Sequence, residues 1–183
     1  DNVSIEEEVE LKKEAHEKGL LMMGPDCGTA ILDNVGLCFA NEVRSGNIGI
    51  VAASGTGAQE MSVRIHDFGY GVSQLIGTGG RDLSEEVGGI MMIDGIKALE
   101  RDDSTKVIVL VSKPPAKSVE KKNIDIVKRV DKPVVVFFLG GSVDTKDESG
   151  VYFKKNSKDA AIKAVTLAGA KIEDLDIQPL DTE

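Results

Sequence analysis

The chain has 183 residues, 41% of them hydrophobic and 29% charged, with a formal net charge of -9. That length holds one full core, or one core and a fragment of another, and the composition is that of a folded globular protein rather than a disordered one. The acidic balance argues against a nucleic-acid backbone as partner, and no apolar run nears the roughly 20 residues of a membrane span.

Asp1 to Glu10 is acidic, with neither an apolar signal core nor an initiator Met, so it is no signal peptide and reads as part of a longer chain. Ser4 and Glu7 stand at capping-box spacing and predict a helix to about Lys18, stopped by Gly19. Leu20 to Met23 reads as a short strand leading into Gly24-Pro25-Asp26-Cys27-Gly28, and Leu37 to Ala40 as a further strand. One helix and one strand cannot bury themselves, so residues 1–43 are expected to be the tail of a preceding α/β domain with a crossing segment.

From Gly46 onward the alternation is regular. Ile48–Ala52 reads as a strand, followed by a helix to Phe68. Val72–Ile76 is a strand ending in Gly77-Thr78-Gly79-Gly80-Arg81-Asp82, and Asp82 with Glu85 predicts a helix running to about Glu100. Val107–Val111 is a strand, with Pro115 at the first position of the next helix. Val134–Leu139 is a strand, Gly141 to Lys155 a loop, and Ser157 the cap of a last helix. Ile172 to Glu183 is an acidic tail. Four continuous apolar strands separated by helices predict a parallel sheet covered on both faces, a doubly wound, flavodoxin-like α/β fold over residues 44–172. Ligands of such sheets bind beyond the carboxyl ends of the strands, where all these glycine-rich turns fall.

The turn Ser54-Gly55-Thr56-Gly57 carries the chemistry. Ser54 and Thr56 can cap a helix, while Gly55 and Gly57 let an anion approach exposed N–H groups at its positive end. Small residues at such a turn also serve simple packing. Thr78, Gly79 and Gly80 can make a second backbone nest. Arg81 can clamp a carboxylate, or pair with Asp82 or Glu85. Lys113 adds a positive charge after the third strand, or is a solvated lysine. Cys27 is a nucleophile or a buried small residue, and Asp26 a candidate acid–base group. His16 and His66 read as surface histidines, and no Cys/His cluster suggests a metal. The basic run Lys113, Lys117, Lys121, Lys122, Lys128 and Arg129 is a solvated helix face or a contact for a partner or for CoA phosphates.

Ser54-Gly55-Thr56-Gly57-Ala58-Gln59-Glu60, then Gly71 and Ile76-Gly77-Thr78-Gly79-Gly80-Arg81-Asp82, resembles the signature of the succinyl-CoA synthetase α subunit and its acyl-CoA-synthetase-like relatives. Gly24-Pro25-Asp26-Cys27 resembles the family's Gly-Pro-Asn-Cys, where a CoA-binding Rossmann-like domain hands over to the ligase domain. Gly-Pro-Asp-Cys-Gly-Thr-Ala, Gly-Gly-Arg-Asp-Leu-Ser-Glu-Glu-Val-Gly-Gly and Ser-Lys-Pro-Pro-Ala look most like the FdrA branch. The resemblance implies ligase- or transferase-type chemistry at a carboxyl group and CoA as a cofactor. For that branch it also implies carbamoyl transfer in anaerobic purine and allantoin breakdown, with oxamate and carbamoyl phosphate. The synthetases carry a phosphorylated histidine in a Gly-His-Ala-Gly loop. The matching stretch here, Gly141 to Asn156, has no His, and Ser112-Lys113-Pro114-Pro115 stands where the synthetases place a supporting glutamate.

The expectation is therefore a cytoplasmic ligase or transferase component. It binds a small anionic substrate at Ser54, Gly55, Thr56, Gly57, Thr78, Gly79, Gly80, Asp26 and Cys27, with Arg81 and Lys113 acting on it. It works as a homo-oligomer or with a partner subunit. The alternative is a non-catalytic binding or assembly subunit.

Overall fold

The computed structural model describes residues 2–141 and 147–177. Its elements are α1 (Ile5–Glu17), β1 (Thr29–Leu32), β2 (Val35–Cys38), β3 (Ser45–Ala53), α2 (Gly55–Asp67), β4 (Val72–Gly77), α3 (Ile90–Arg101), β5 (Val107–Ser112), α4 (Lys117–Val127), β6 (Val134–Phe138), β7 (Val151–Phe153) and α5 (Ser157–Leu167). The strands form one sheet in the order β2-β1-β4-β3-β5-β6-β7. β3 pairs in parallel with β4 and β5, and β6 joins β5 and β7 to them in the same sense. β1 runs antiparallel to both β2 and β4.

β5 and β6 are buried at every position, as strands covered on both faces must be. On one face Ile50 and Ala52 of β3 pack with Met61 and Ile65 of α2 and Ala161 and Val165 of α5. On the other, Val51 and Ala53 pack with Met92, Ile96 and Leu99 of α3 and Val119 and Val127 of α4. The sheet is thus doubly wound, and α1 packs on α3.

The capping box forms at α1, where the Ser4 N–H donates to Glu7 Oε2 at 2.8 Å and the Glu7 N–H to Ser4 Oγ at 3.2 Å. The bond from the Ser4 N–H holds the Glu7 carboxyl below the usual carboxylate range. Gly19 follows the helix at φ 67, as a helix stop requires.

Several local expectations change. Leu20–Met23 is not a strand; Leu20 and Leu21 are exposed at 59% and 42%, and a strand so exposed has no sheet to join. The strand expected at Leu37–Ala40 lies at Val35–Cys38, the second arm of a hairpin with β1. Its turn residues Asp33 and Asn34 have positive φ, which Asp and Asn tolerate, so the hairpin had a readable signal. The sheet is accordingly mixed, with this antiparallel hairpin on one edge.

The helix expected to begin at Asp82 begins eight residues later, because residues 80–89 are turns with Gly88 and Gly89 at positive φ. α4 starts at Lys117 behind Ala116, not at Pro115. Asn156, not Ser157, caps α5, its side chain accepting from the Asp159 N–H at 2.8 Å. The segment expected as a loop from Gly141 to Lys155 contains β7; its residues 142–146 lie outside the described residues, as do residues 178–183 of the acidic tail.

Candidate functional site at the carboxyl edge of the sheet

Adjacent strands β3 and β5 send their following helices to opposite faces, α2 to one and α4 to the other. The loops after them diverge, and the gap at that switch point is where ligands of doubly wound sheets lie. The Ser54 turn forms one side. Ala53 pairs with Ser112, so Lys113 follows on the adjacent strand as the other side.

Ser54 is buried, and its Oγ accepts the Gly57 N–H at 3.2 Å, capping its own helix. Its hydroxyl is therefore engaged in the fold. Gly55 and Thr56 are exposed, and neither N–H finds an acceptor among the described residues. These are two of the donors every helix start leaves open. Gly57 is required on packing grounds: a Cβ there would lie 2.8 Å from Val111 Cγ1 and 3.0 Å from Ser54 Oγ.

The Gly24–Gly28 turn comes to the same edge because β1 runs against β4. A Cβ on Gly77 would lie 2.4 Å from Cys27 Sγ, and one on Gly79, at φ +90, would lie 2.3 Å from the Pro25 carbonyl oxygen. Two glycine-rich stretches fifty residues apart in sequence thus pack directly on each other. Between them and the start of α2 lies a crevice of about 10 Å³, lined by Asp26, Cys27, Ser54, Gly55, Gly77 and Gly79 among others. It is nearly filled, with the exposed Gly55 among its lining residues.

Asp26 is exposed with φ 61. Cys27 Sγ contacts the Thr29 carbonyl oxygen at 3.6 Å, and burial pushes its thiol pKa up. A thiol so held is a poor nucleophile. Iodoacetamide at pH 8 is expected to label exposed Cys38 before Cys27, as mass spectrometry of partly labelled protein would show; faster labelling of Cys27 would contradict this.

Thr78 is fully buried, with its N–H on the Ala52 carbonyl at 2.8 Å and its own carbonyl facing Lys12 Nζ at 2.8 Å. Its side chain is turned away from the expected nest, which reduces to Gly79 and Gly80. Arg81 turns to α1: its Nε lies 2.8 Å from Glu8 Oε2 and its Nη2 donates to the Val3 carbonyl at 2.9 Å. Its partner is neither Asp82 nor Glu85. Asp82 lies under the turn, accepting the Met91 and Met92 N–H groups of α3 at 3.3 and 2.8 Å.

Lys113 is exposed and has no ion-pair partner among the described residues. Its Nζ stands 4.0 Å from where a Gly80 Cβ would be, placing the ammonium over the turn after β4. Glu60 of the signature, in the second turn of α2, joins Ser157 of α5 and Arg64; the Ser157 hydroxyl holds its carboxyl below the usual range.

Sequence reasoning missed Lys12. It is fully buried, and its Nζ donates to Glu8 Oε1, the Thr78 carbonyl and Asp82 Oδ1, each at 2.8 Å. The only local signal was Glu8–Lys12 at i,i+4 spacing, which an exposed helix face shows equally.

Residues 43–140, more than half of the chain, match the family described as the CoA binding domain. The chain is 60% identical over 181 residues to the uncharacterized protein YahF of Escherichia coli K12, covering 99% of this chain and 35% of that protein. It is 26% identical over 180 residues to the alpha 1 subunit of an ADP-forming succinate–CoA ligase of Archaeoglobus fulgidus, covering 94% and 60%. It therefore spans between about a third and three fifths of these relatives' lengths.

Its fold matches that of a dinucleotide-forming acetyl-coenzyme A synthetase of Candidatus Korarchaeum cryptofilum at a TM-score of 0.67. That match has 20% identity and covers 89% of this chain and 39% of that one. An ATP citrate lyase of Methanothrix soehngenii matches at a TM-score of 0.64 and 19% identity, covering 93% and 30%. With strand order, double winding and the matched residues in agreement, the chain belongs to the CoA-binding domain family and is homologous to succinate–CoA ligase alpha subunits.

Proposed function

We propose that the chain is the domain of an FdrA-like acyl-CoA-synthetase homologue that holds an acyl phosphate or small carboxylate at the switch point of its sheet. The guest lies between the Gly55 and Thr56 N–H groups and the Lys113 ammonium. The observation that carries this reading is a juxtaposition: two helix-start donors and a lysine, each without a partner among the described residues, follow adjacent strands whose helices part there. Thr56 adds an exposed hydroxyl. Such preorganised donors stabilise charge developing on a carboxyl or phosphoryl oxygen, the need of ligase- and carbamoyltransferase-type reactions. With the Cys27 thiol held in its protonated form, attack by an amine or thiol substrate itself suits the site better than a covalent enzyme intermediate.

CoA association comes with the family. The crevice of about 10 Å³ does not enclose a nucleotide. The ligand-holding unit includes α1 and the β1–β2 hairpin from residues 1–43, since the hairpin joins the sheet of residues 44–172, α1 packs on α3, and Asp26 and Cys27 line the crevice.

The test removes one donor without disturbing the fold. Gly55 is the first residue of α2, where proline is tolerated, and nothing lies within 4 Å of an added Cβ. By calorimetric titration with acetyl phosphate and succinate, Gly55→Pro should weaken binding about ten-fold or more, the worth of one hydrogen bond to a charged group. Lys113→Ala should weaken it about two- to five-fold, since an exposed charge contributes under about 1 kcal/mol. Unchanged affinity in Gly55→Pro would reduce the turn to a packing device.

An assembly role is favoured by a separate observation. Edge strand β2 exposes Val35 at 58% and Leu37 at 38%, with Phe39 beyond it at 76%, more apolar surface than an unprotected edge ordinarily leaves. Failure of the titrations in the complete polypeptide would leave that reading.

A further inference from the structure

A groove of about 430 Å³ opens between α1, α3 and α4, away from the switch-point edge. Its floor is Ile90, Ile93 and Ile126, buried or half-buried, and its rim carries the exposed lysines Lys13, Lys97 and Lys122. That volume lies within the roughly 300–1,000 Å³ typical of small-ligand sites, and the pairing of an apolar floor with a few polar groups is their usual make-up.

The charges say what it takes. Lys122 Nζ donates one bond, to the Gly88 carbonyl at 3.2 Å, and keeps two N–H donors. Lys13 and Lys97, from different helices, have no ion-pair partner among the described residues. On a chain of net charge -9, this is a local excess of ammonium groups. Asp94 also lines the groove, its Oδ2 bound to His16 Nδ1 at 2.7 Å in a contact that ties α1 to α3 along one wall, so the three lysines outnumber the carboxylates of Asp94 and Glu17 by one. Glu17 remains as one carboxylate on the rim and disfavours a guest charged at both ends.

We propose that this groove binds a small monocarboxylic acid with an apolar body, its hydrocarbon on the three isoleucines and its carboxylate among the rim lysines. A free amine is repelled by the same lysines. A dicarboxylate meets Glu17. A peptide helix would find only three isoleucines to lie on, too little apolar floor for a stable seat.

The probe is 4-phenylbutyrate, with 4-phenylbutylamine as the charge-reversed control of the same shape. Titration of the chain followed by amide ¹H–¹⁵N spectra should shift residues 90–97 and 122–126 saturably and leave 54–57 unmoved. The exposed double variant Lys13→Glu/Lys97→Glu should retain the wild-type spectrum elsewhere and bind about ten-fold more weakly or worse, as the loss of charge-assisted bonds implies. The amine should not saturate. The proposal is overturned by no saturation with the acid up to about 10 mM, the weak end of specific affinity. Equal binding of the amine, shifts centred on 54–57, or an unchanged affinity in the double variant would overturn it equally.

Discussion

Lys12→Met is expected to cost about 3–5 kcal/mol of folding stability, the range for removing one partner of a buried ionic cluster. Lys12 is fully buried and satisfies three acceptors at once, two of them the carboxylates of Glu8 and Asp82, also fully buried. The methionine fills the space of the alkyl stem but leaves those carboxylates facing each other without the ammonium between them. The damage spreads, because Asp82 caps the start of α3 and Glu8 meets Arg81. Urea denaturation of wild type and variant measures the loss; a cost below about 1 kcal/mol, the worth of a surface pair, would show that the cluster is not the clamp the geometry describes.

This cluster is also how α1 reaches the carboxyl edge of the sheet, since Lys12 holds the carbonyl of Thr78 between Gly77 and Gly79 of the crevice wall.

Gly79→Ala is the second large effect. The residue has φ +90, where a Cβ is strained by about 1–2 kcal/mol, and that Cβ would stand 2.3 Å from the Pro25 carbonyl oxygen. Backbone on both sides cannot yield cheaply, and overpacking adds roughly 1–3 kcal/mol. The expected total is about 2–5 kcal/mol, with the Gly24–Gly28 turn displaced from the crevice and anion binding weakened with it. Gly80→Ala is the matched control: its neighbour is exposed, its Cβ would meet nothing nearer than Lys113 Nζ at 4.0 Å, and its cost should stay within about 0.5 kcal/mol. Melting curves of the two variants side by side decide the matter. Equal losses would place the constraint in glycine's general flexibility rather than in the contact with Pro25.

The central sheet was legible because strands buried on both faces must be apolar without interruption, and Ile48–Ala52, Val107–Val111 and Val134–Leu139 are. The Ser54 turn was legible as a helix start for the same local reason: a hydroxyl, then glycines, then an amphipathic run. What the turn does with its groups was not. Ser54 and Thr56 look alike in sequence, yet one hydroxyl caps the helix and the other is exposed. The start of α3 was misplaced because Asp82 caps it from eight residues upstream of Ile90, across a turn built by Gly88 and Gly89. The hairpin β1–β2 went half-seen, since strands of four residues carry too short an alternation to read.

From the order of its residues alone, this protein's alternation of strand and helix, the parallel heart of its sheet and the edge where glycine-rich turns collect were determined, since each follows from periodicity and turn chemistry within about ten residues. Only the tertiary structure decided that Arg81 faces Glu8, that Lys12 is enclosed with Asp82 seventy residues away, and that Cys27 rests on Gly77. Charge pairing and close packing act through space, and a sequence states which groups exist without stating which of them meet.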